Sequence, residues 1–169
     1  MSQDVCVLLY ERPGPKADQD LWIAPRPSDG SGADRTPYPY LHSEFDEKHG
    51  RFSPDGRWVV YTSNESGQDE VYVQSFPASS TKAQVSTGGG IEPQWRKDGT
   101  ELFYIAEREL TAIPVKAGSS SAEPLQFGQP QTLFSVPLLD TFIVGRTYEA
   151  SRDGQRFLLR TLASGATAP

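Results

Sequence analysis

Arg51-Phe-Ser-Pro-Asp-Gly-Arg-Trp-Val-Val-Tyr-Thr-Ser63 decides the fold. It reads as a short apolar entry, a tight turn at Asp55-Gly56, then the apolar run Val59, Val60, Tyr61. Asp-Gly between apolar segments is a strong hairpin signal: glycine accepts positive φ, and the Asp carboxylate bonds its own turn backbone. The stretch recurs. Lys97-Asp98-Gly99 precedes Leu102, Phe103, Tyr104, and Arg152-Asp153-Gly154 precedes Phe157, Leu158, Leu159. A worn copy, Ser2-Gln3-Asp4-Val5, precedes Leu8, Leu9, Tyr10. In each copy the apolar triplet stands at the same phase after the Asp. The copies lie roughly 40 to 55 residues apart, the period of propeller blades built from about four short strands each. A plain sandwich accounts for the strands but not for one motif returning in phase.

Working outward, the segments between copies read as further strands. Val5–Tyr10, Asp20–Pro25 and Thr36–Leu41 come first, and Pro37 and Pro39 place the third at a sheet edge. His42–Gly50 reads as a charged connection, followed by a short inner strand at Arg51–Ser53. Glu70–Phe76 alternates, and Lys82–Ser86 reads as an outer strand. The cycle repeats through Glu92–Trp95, Leu102–Ala106, Leu110–Val115 and Gln131–Val136, with a Ser- and Gly-containing excursion over Gly118–Gln129. Thr147–Ala150 and Phe157–Thr161 open a fourth cycle.

Composition agrees with an all-β chain. Gly contributes 15 residues and Pro 14, too many for long helices. The net charge of −6 argues against a nucleic-acid partner held by phosphate contacts. A single cysteine, Cys6, rules out an intrachain disulfide and a cysteine-based zinc site. No apolar run approaches the ~20 residues that span a bilayer. Met-Ser-Gln-Asp lacks the basic and apolar parts of a signal peptide, so the chain as written is expected in the cytoplasm. As a piece of a longer exported chain it is expected in the periplasm.

The repeat resembles that of TolB-like β-propellers, and is most similar to the C-terminal propeller of certain bacterial serine/threonine kinases and of TolB-family proteins. The residues that carry the likeness are Asp20-Leu-Trp-Ile-Ala-Pro, Arg51-Phe-Ser-Pro-Asp-Gly-Arg-Trp-Val, Thr62-Ser-Asn-Glu-Ser-Gly, Glu70-Val-Tyr-Val-Gln-Ser-Phe-Pro, Gln84-Val-Ser-Thr-Gly-Gly-Gly and Glu101-Leu-Phe-Tyr. The resemblance implies a propeller, commonly of six or more blades. No kinase element accompanies it.

The expected fold is therefore all-β: a partial β-propeller of about three four-stranded antiparallel blades. One domain spans residues 1–169, with blades near 2–45, 46–87 and 88–138 and a partial blade at 139–162. The first blade lacks its innermost strand, and the fourth carries an inner strand in surplus. A head-to-tail homodimer is expected to close these ends, Thr147–Ala150 of each chain completing the first blade of the other. Phe157–Thr161 then competes with Val5–Tyr10 for one position.

The turn acids read as turn chemistry, and Trp22, Trp58, Trp95 and Tyr72 as packing between blades. Function is expected at the channel, on loops before the inner strands: His42–Gly50, Gly88–Pro93 and Asp140–Tyr148. They supply Glu44, Asp46, Glu47, His49, Glu92, Asp140, Arg146 and Tyr148. A binding module that takes a protein or peptide at this face is the first expectation. The alternative is a calcium-dependent hydrolase of the propeller lactonase type, acting on a small lactone. Glu47, Glu92, Asp46 and Asp140 would be its oxygen ligands and His49 its base. No Gly-x-Ser-x-Gly elbow supports serine hydrolysis.

Overall fold

The structure is a computed structural model, and it describes residues 5–27, 36–78, 81–118, 123–136 and 146–160. The described residues form four antiparallel sheets and no helix. The first sheet is β1 (Val5–Arg12), β2 (Asp20–Pro27) and β3 (Tyr38–Leu41), in that order. The second is β4 (Glu47–Phe52), β5 (Trp58–Ser63), β6 (Glu70–Ser75) and β7 (Lys82–Gln84). The third runs β8 (Ile91–Trp95), β9 (Glu101–Ala106) and β10 (Glu109–Lys116), with β11 (Gln126–Phe127) and β12 (Gln131–Ser135) both on the free side of β10. The fourth holds β13 (Tyr148–Ala150) and β14 (Phe157–Leu159).

Each sheet is a meander, and its middle strands are apolar on both sides. Side chains of a strand alternate between faces, so a strand covered on both faces reads as a continuous apolar run. β5 is buried along its whole length. Its Val59 and Tyr61 join Leu21, Ile23 and Tyr40 of the first sheet, together with Tyr72. Its Trp58 and Val60 face the other way, with Val71 and Val73, onto Leu102, Tyr104, Ile113 and Val115 of the third sheet. A third layer joins Phe103, Ile105, Leu110 and Ala112 to Tyr148 of the fourth sheet, with Ala150, Phe157 and Leu159 packed against it. Burying each Val, Leu or Ile contributes about 1.5–3 kcal/mol, so these layers dominate the stability. The result is a radial stack in which β4 and β8, the first strands of their sheets, lie side by side.

The Asp-Gly turns behave as the sequence predicts. The Ser53 hydroxyl donates to Asp55 Oδ1 at 2.6 Å, the Arg57 N–H donates to the same oxygen at 3.0 Å, and the Trp58 N–H donates to Ser53 Oγ at 3.0 Å. Ser151, Asp153, Gln155 and Arg156 repeat this set at 2.5, 3.1 and 3.0 Å. Gly56, Gly99 and Gly154 take φ of 70, 76 and 67°, where an L side chain is strained. The crossings between sheets also repeat. The N–H of Glu47 donates to Gln19 O, that of Gly90 to Asp69 O and that of Val136 to Arg108 O, each acceptor lying just before a strand that opens with an acid.

Two boundaries differ from expectation. The inner strand of the second sheet begins at Glu47, within the stretch read as a connection, because a bulge between Lys48 and Arg51 breaks its alternation. Gly50 in that bulge is a packing requirement: a Cβ there would come within 2.8 Å of Leu21 Cδ1. The excursion over residues 118–129 contains β11, paired through Val115 with Phe127. Pro39 lies on β3, the edge of its sheet, as expected.

Candidate functional site

The first strands of the second and third sheets lie side by side, and both carry a bulge at the same place. In β4 the register shifts between Lys48 and Arg51; in β8 it shifts between Ile91 and Gln94. His49 and Glu92 sit in these bulges with φ of 58 and 52°, a left-handed backbone that non-glycine residues rarely adopt. Both stand at the same distance ahead of the turn residues Ser53 and Arg96, and Thr147 stands at that distance ahead of Ser151. One repeat position thus holds His49, Glu92 and Thr147; two residues on come Arg51, Gln94 and Glu149.

These positions stitch neighbouring sheets together. The Glu92 carboxylate accepts the Thr147 N–H at 2.7 Å and the Thr147 hydroxyl at 2.8 Å, while the Tyr148 hydroxyl donates to Glu92 O at 2.9 Å. The Gln94 amide donates to Tyr148 O at 2.8 Å and accepts the Ala150 N–H at 3.2 Å. The His49 N–H donates to Glu11 Oε1 of the first sheet at 2.7 Å, and its Nδ1 lies 3.4 Å from Thr62 Oγ1. Burial pulls the His49 imidazole below the ordinary histidine range, against the opposing pull of Glu11 and Glu92, so the neutral ring is favoured. Arg51 reaches Glu149 at 3.7 Å and Arg146 reaches the same carboxylate oxygen at 3.1 Å. Burial, then the Arg146 charge, lowers Arg51 from the usual guanidinium value; guanidinium stays protonated throughout. The wall therefore presents Glu11, His49, Arg51, Glu92, Arg146 and Glu149 from all four sheets.

The expected metal ligands hold different partners. Glu47 opens β4, is 4% exposed and accepts the Ser43 hydroxyl. Burial raises it above the ordinary glutamate value, partly offset by Ser43. Asp46 accepts the Asp18 N–H at 2.7 Å and the Asn64 amide at 3.4 Å. Glu92 is committed to Thr147, and Asp140 lies outside the described residues. Among the described residues, no group of three or more His, Cys, Asp or Glu side chains is placed to hold a metal ion. Glu44 is exposed, and Tyr148 is buried at 2% exposure in the layer below the wall.

Glu11, Arg51, Gln94, Thr147 and Glu149 were not singled out by sequence reasoning. For all but Glu11 the signal was available: counting back from each Asp-Gly turn places them in the same two columns as His49 and Glu92. Glu11 comes from the sheet whose turn copy is worn.

No protein-family model matches the sequence, and no curated protein matches it. Solved structures do resemble the fold. TolB from Acinetobacter baumannii is 16% identical, with a TM-score of 0.51 over 95% of this chain and 48% of that one. A putative TolB from Agrobacterium tumefaciens is also 16% identical, with a TM-score of 0.50 over 76% of this chain and 46% of that one. A putative 6-phosphogluconolactonase from Bacteroides uniformis is 15% identical, with a TM-score of 0.49 over 90% of this chain and 47% of that one. The chain has an all-β, partial β-propeller fold of the TolB-like type. It spans a little under half the length of those TolB structures. Among the described residues no helix is long and apolar enough to cross a membrane.

Proposed function

We propose that this chain is a binding module that presents the wall of its inner strands to a protein or peptide. The observation that carries the reading is the paired bulge: it lifts His49 and Glu92 from adjacent strands into a wall that also bears Arg51, Arg146 and Glu149. Charged groups held on rigid strands select a partner by complementarity more than by area. Fold alone does not assign function, so the test is at the site. An array of peptides is passed over the immobilised chain and over the Arg51→Ala, Arg146→Ala double variant. Retained peptides are expected to lose at least about tenfold in affinity on the variant, as truncation of interface arginines commonly does. Equal retention by the two proteins overturns the reading. Nothing among the described residues favours lactone hydrolysis.

The same proposal extends to a second copy. β13 is held against the third sheet by Glu92 and Gln94, independently of its pairing with β14. β1 has the phase of β14 in the repeat, and Leu8 on it is 60% exposed. A partner's β1 in place of β14 closes a head-to-tail ring of about six blades, within the usual range for propellers. Tyr148 is buried within its own chain, so the edge is better tested at Leu8. Light scattering at micromolar concentration is expected to show a dimer, returned to monomer by Leu8→Asp; a monomer without the substitution defeats the ring.

A further inference from the structure

A second concavity lies away from the inner-strand wall, between the second and third sheets where their Asp-Gly turns project. It has a volume of about 370 Å³, at the small end of the range for small-molecule sites. Its floor is apolar: Trp58, Trp95, Val115 and Leu125. Its rim carries the two turn acids, Asp55 and Asp98, and Arg57.

The hydrogen-bonding capacity of this lining is lopsided. Both rim carboxylates are taken. Asp55 accepts the Ser53 hydroxyl at 2.6 Å and Arg57 Nε at 2.7 Å; Asp98 accepts the Thr100 hydroxyl at 2.7 Å and pairs with Arg96 at 3.2 Å. The donors are under-used. Arg57 Nη1 and Nη2 share one acceptor, Gly118 O, at 3.5 Å each. Trp58 is 3% exposed, and its indole N–H has no acceptor among the described residues; nor has that of Trp95. An acceptor seated beside the Arg57 guanidinium would complete its hydrogen bonding.

An apolar floor, spent acids and unspent donors define a complementary ligand. We propose that this cavity binds a small apolar carboxylate, its hydrocarbon body against Trp58, Val115 and Leu125 and its carboxylate on the Arg57 guanidinium. Guanidinium–carboxylate bonds are charge-assisted and about twice as strong as neutral ones, which sets the preference for an acid over an alcohol. Arg57, ion-paired at the rim, sets the preference against an amine.

The test uses the full chain with phenylbutyrate as probe, beside phenylbutanol and phenylbutylamine. The indole N–H resonances are followed by NMR, with Trp22, on the first sheet, as internal control. Saturable shifts of the Trp58 and Trp95 signals are expected, with Trp22 unmoved. Arg57→Gln is expected to weaken the acid by at least about tenfold. Ala117→Phe, which adds bulk at an exposed lining position without touching the core, is expected to abolish binding. The alcohol and the amine are expected to bind at least about tenfold more weakly than the acid. Non-saturating shifts, equal movement of Trp22, unchanged affinity in folded Arg57→Gln, or an amine that binds as well as the acid each overturn the proposal. Should Arg57→Gln not fold, undiminished binding by Ala117→Phe does so.

Discussion

Glu70 and Asp20 occupy the same position in successive sheets, the first residue of the third strand in the repeat, yet they are held by different chemistry. Glu70 is 1% exposed and surrounded by donors. The N–H groups of Gly88 and Gly89 reach it at 2.8 Å each, the Gln68 amide at 2.6 Å, and the Ser86 hydroxyl also donates to it. The two glycines adopt φ of 98 and 104°, which turns successive N–H groups toward the carboxylate. Asp20 is equally buried, but its partner is the His42 ring at 2.5 Å, and its Oδ1 has no hydrogen-bond partner among the described residues. Backbone donors make one crossing insensitive to side-chain ionisation around it. The Asp20 carboxylate relies instead on one partly exposed histidine. The Thr-Gly-Gly-Gly run is thus an anion nest inside the protein, which secures a crossing between sheets.

The sharpest way to break the comparison is Glu70→Ala. It strands the Ser86 hydroxyl and two backbone N–H groups, so unfolding in urea is expected to show a loss of about 3 kcal/mol or more. A loss below about 1 kcal/mol would mean that the nest is not a main support of the crossing. His42→Ala leaves the buried Asp20 carboxylate without its ring partner, and a loss of about 2 kcal/mol is expected in the same assay.

Acid separates two buried glutamates by sign. Burial pushes Glu70 up, but Ser86, Gly89, Gln68 and Gly88 outweigh it and hold it below the ordinary range. Its stabilisation is therefore present above that range and is lost as pH falls through its own lower pKa. Glu47 is raised by burial, so its contribution is greatest below the ordinary range and is lost as pH rises through its pKa. Glu70→Gln is expected to flatten the acid limb of stability against pH. Glu47→Gln is expected to raise stability near neutral pH. Parallel behaviour of the two variants would sink this assignment. The smallest expected effect is at the turns: Ser53→Ala loses the bonds to Asp55 and to the buried Trp58 N–H, about 1 kcal/mol. Ser151→Ala, in the exposed copy of the turn, is expected to cost less.

The fold was legible because its signal is a phase, not a propensity. Asp55, Asp98 and Asp153 mark the turns; the apolar triplets after Asp55 and Asp98 become strands buried on both faces, whereas Leu158, in the triplet after Asp153, is 75% exposed. Among the described residues the first sheet has three strands and the fourth two. The wall was less legible. A bulge moves side chains out of alternation, so His49 and Glu47 read as loop residues although both lie on β4. Of the acids chosen for their oxygen chemistry, Asp46, Glu47 and Glu92 each serve separate hydrogen bonds, because residue type does not reveal which carboxylate a neighbouring hydroxyl or amide will claim. The inter-sheet cavity gave no sequence signal, since it is assembled from Trp58, Trp95, Val115 and Leu125, which read individually as core.

The left-handed bulge residues have a consequence for how such a wall can change. A residue at positive φ carries strain in its backbone, and the sheet on either side holds it there. One repeat position already shows histidine and glutamate in that seat, and threonine in the corresponding place of the next strand. The scaffold and the message are thus written in different parts of the strand. Under the proposed binding role, substitutions at His49 change what the wall displays while the bulge that displays it stays held by its sheet.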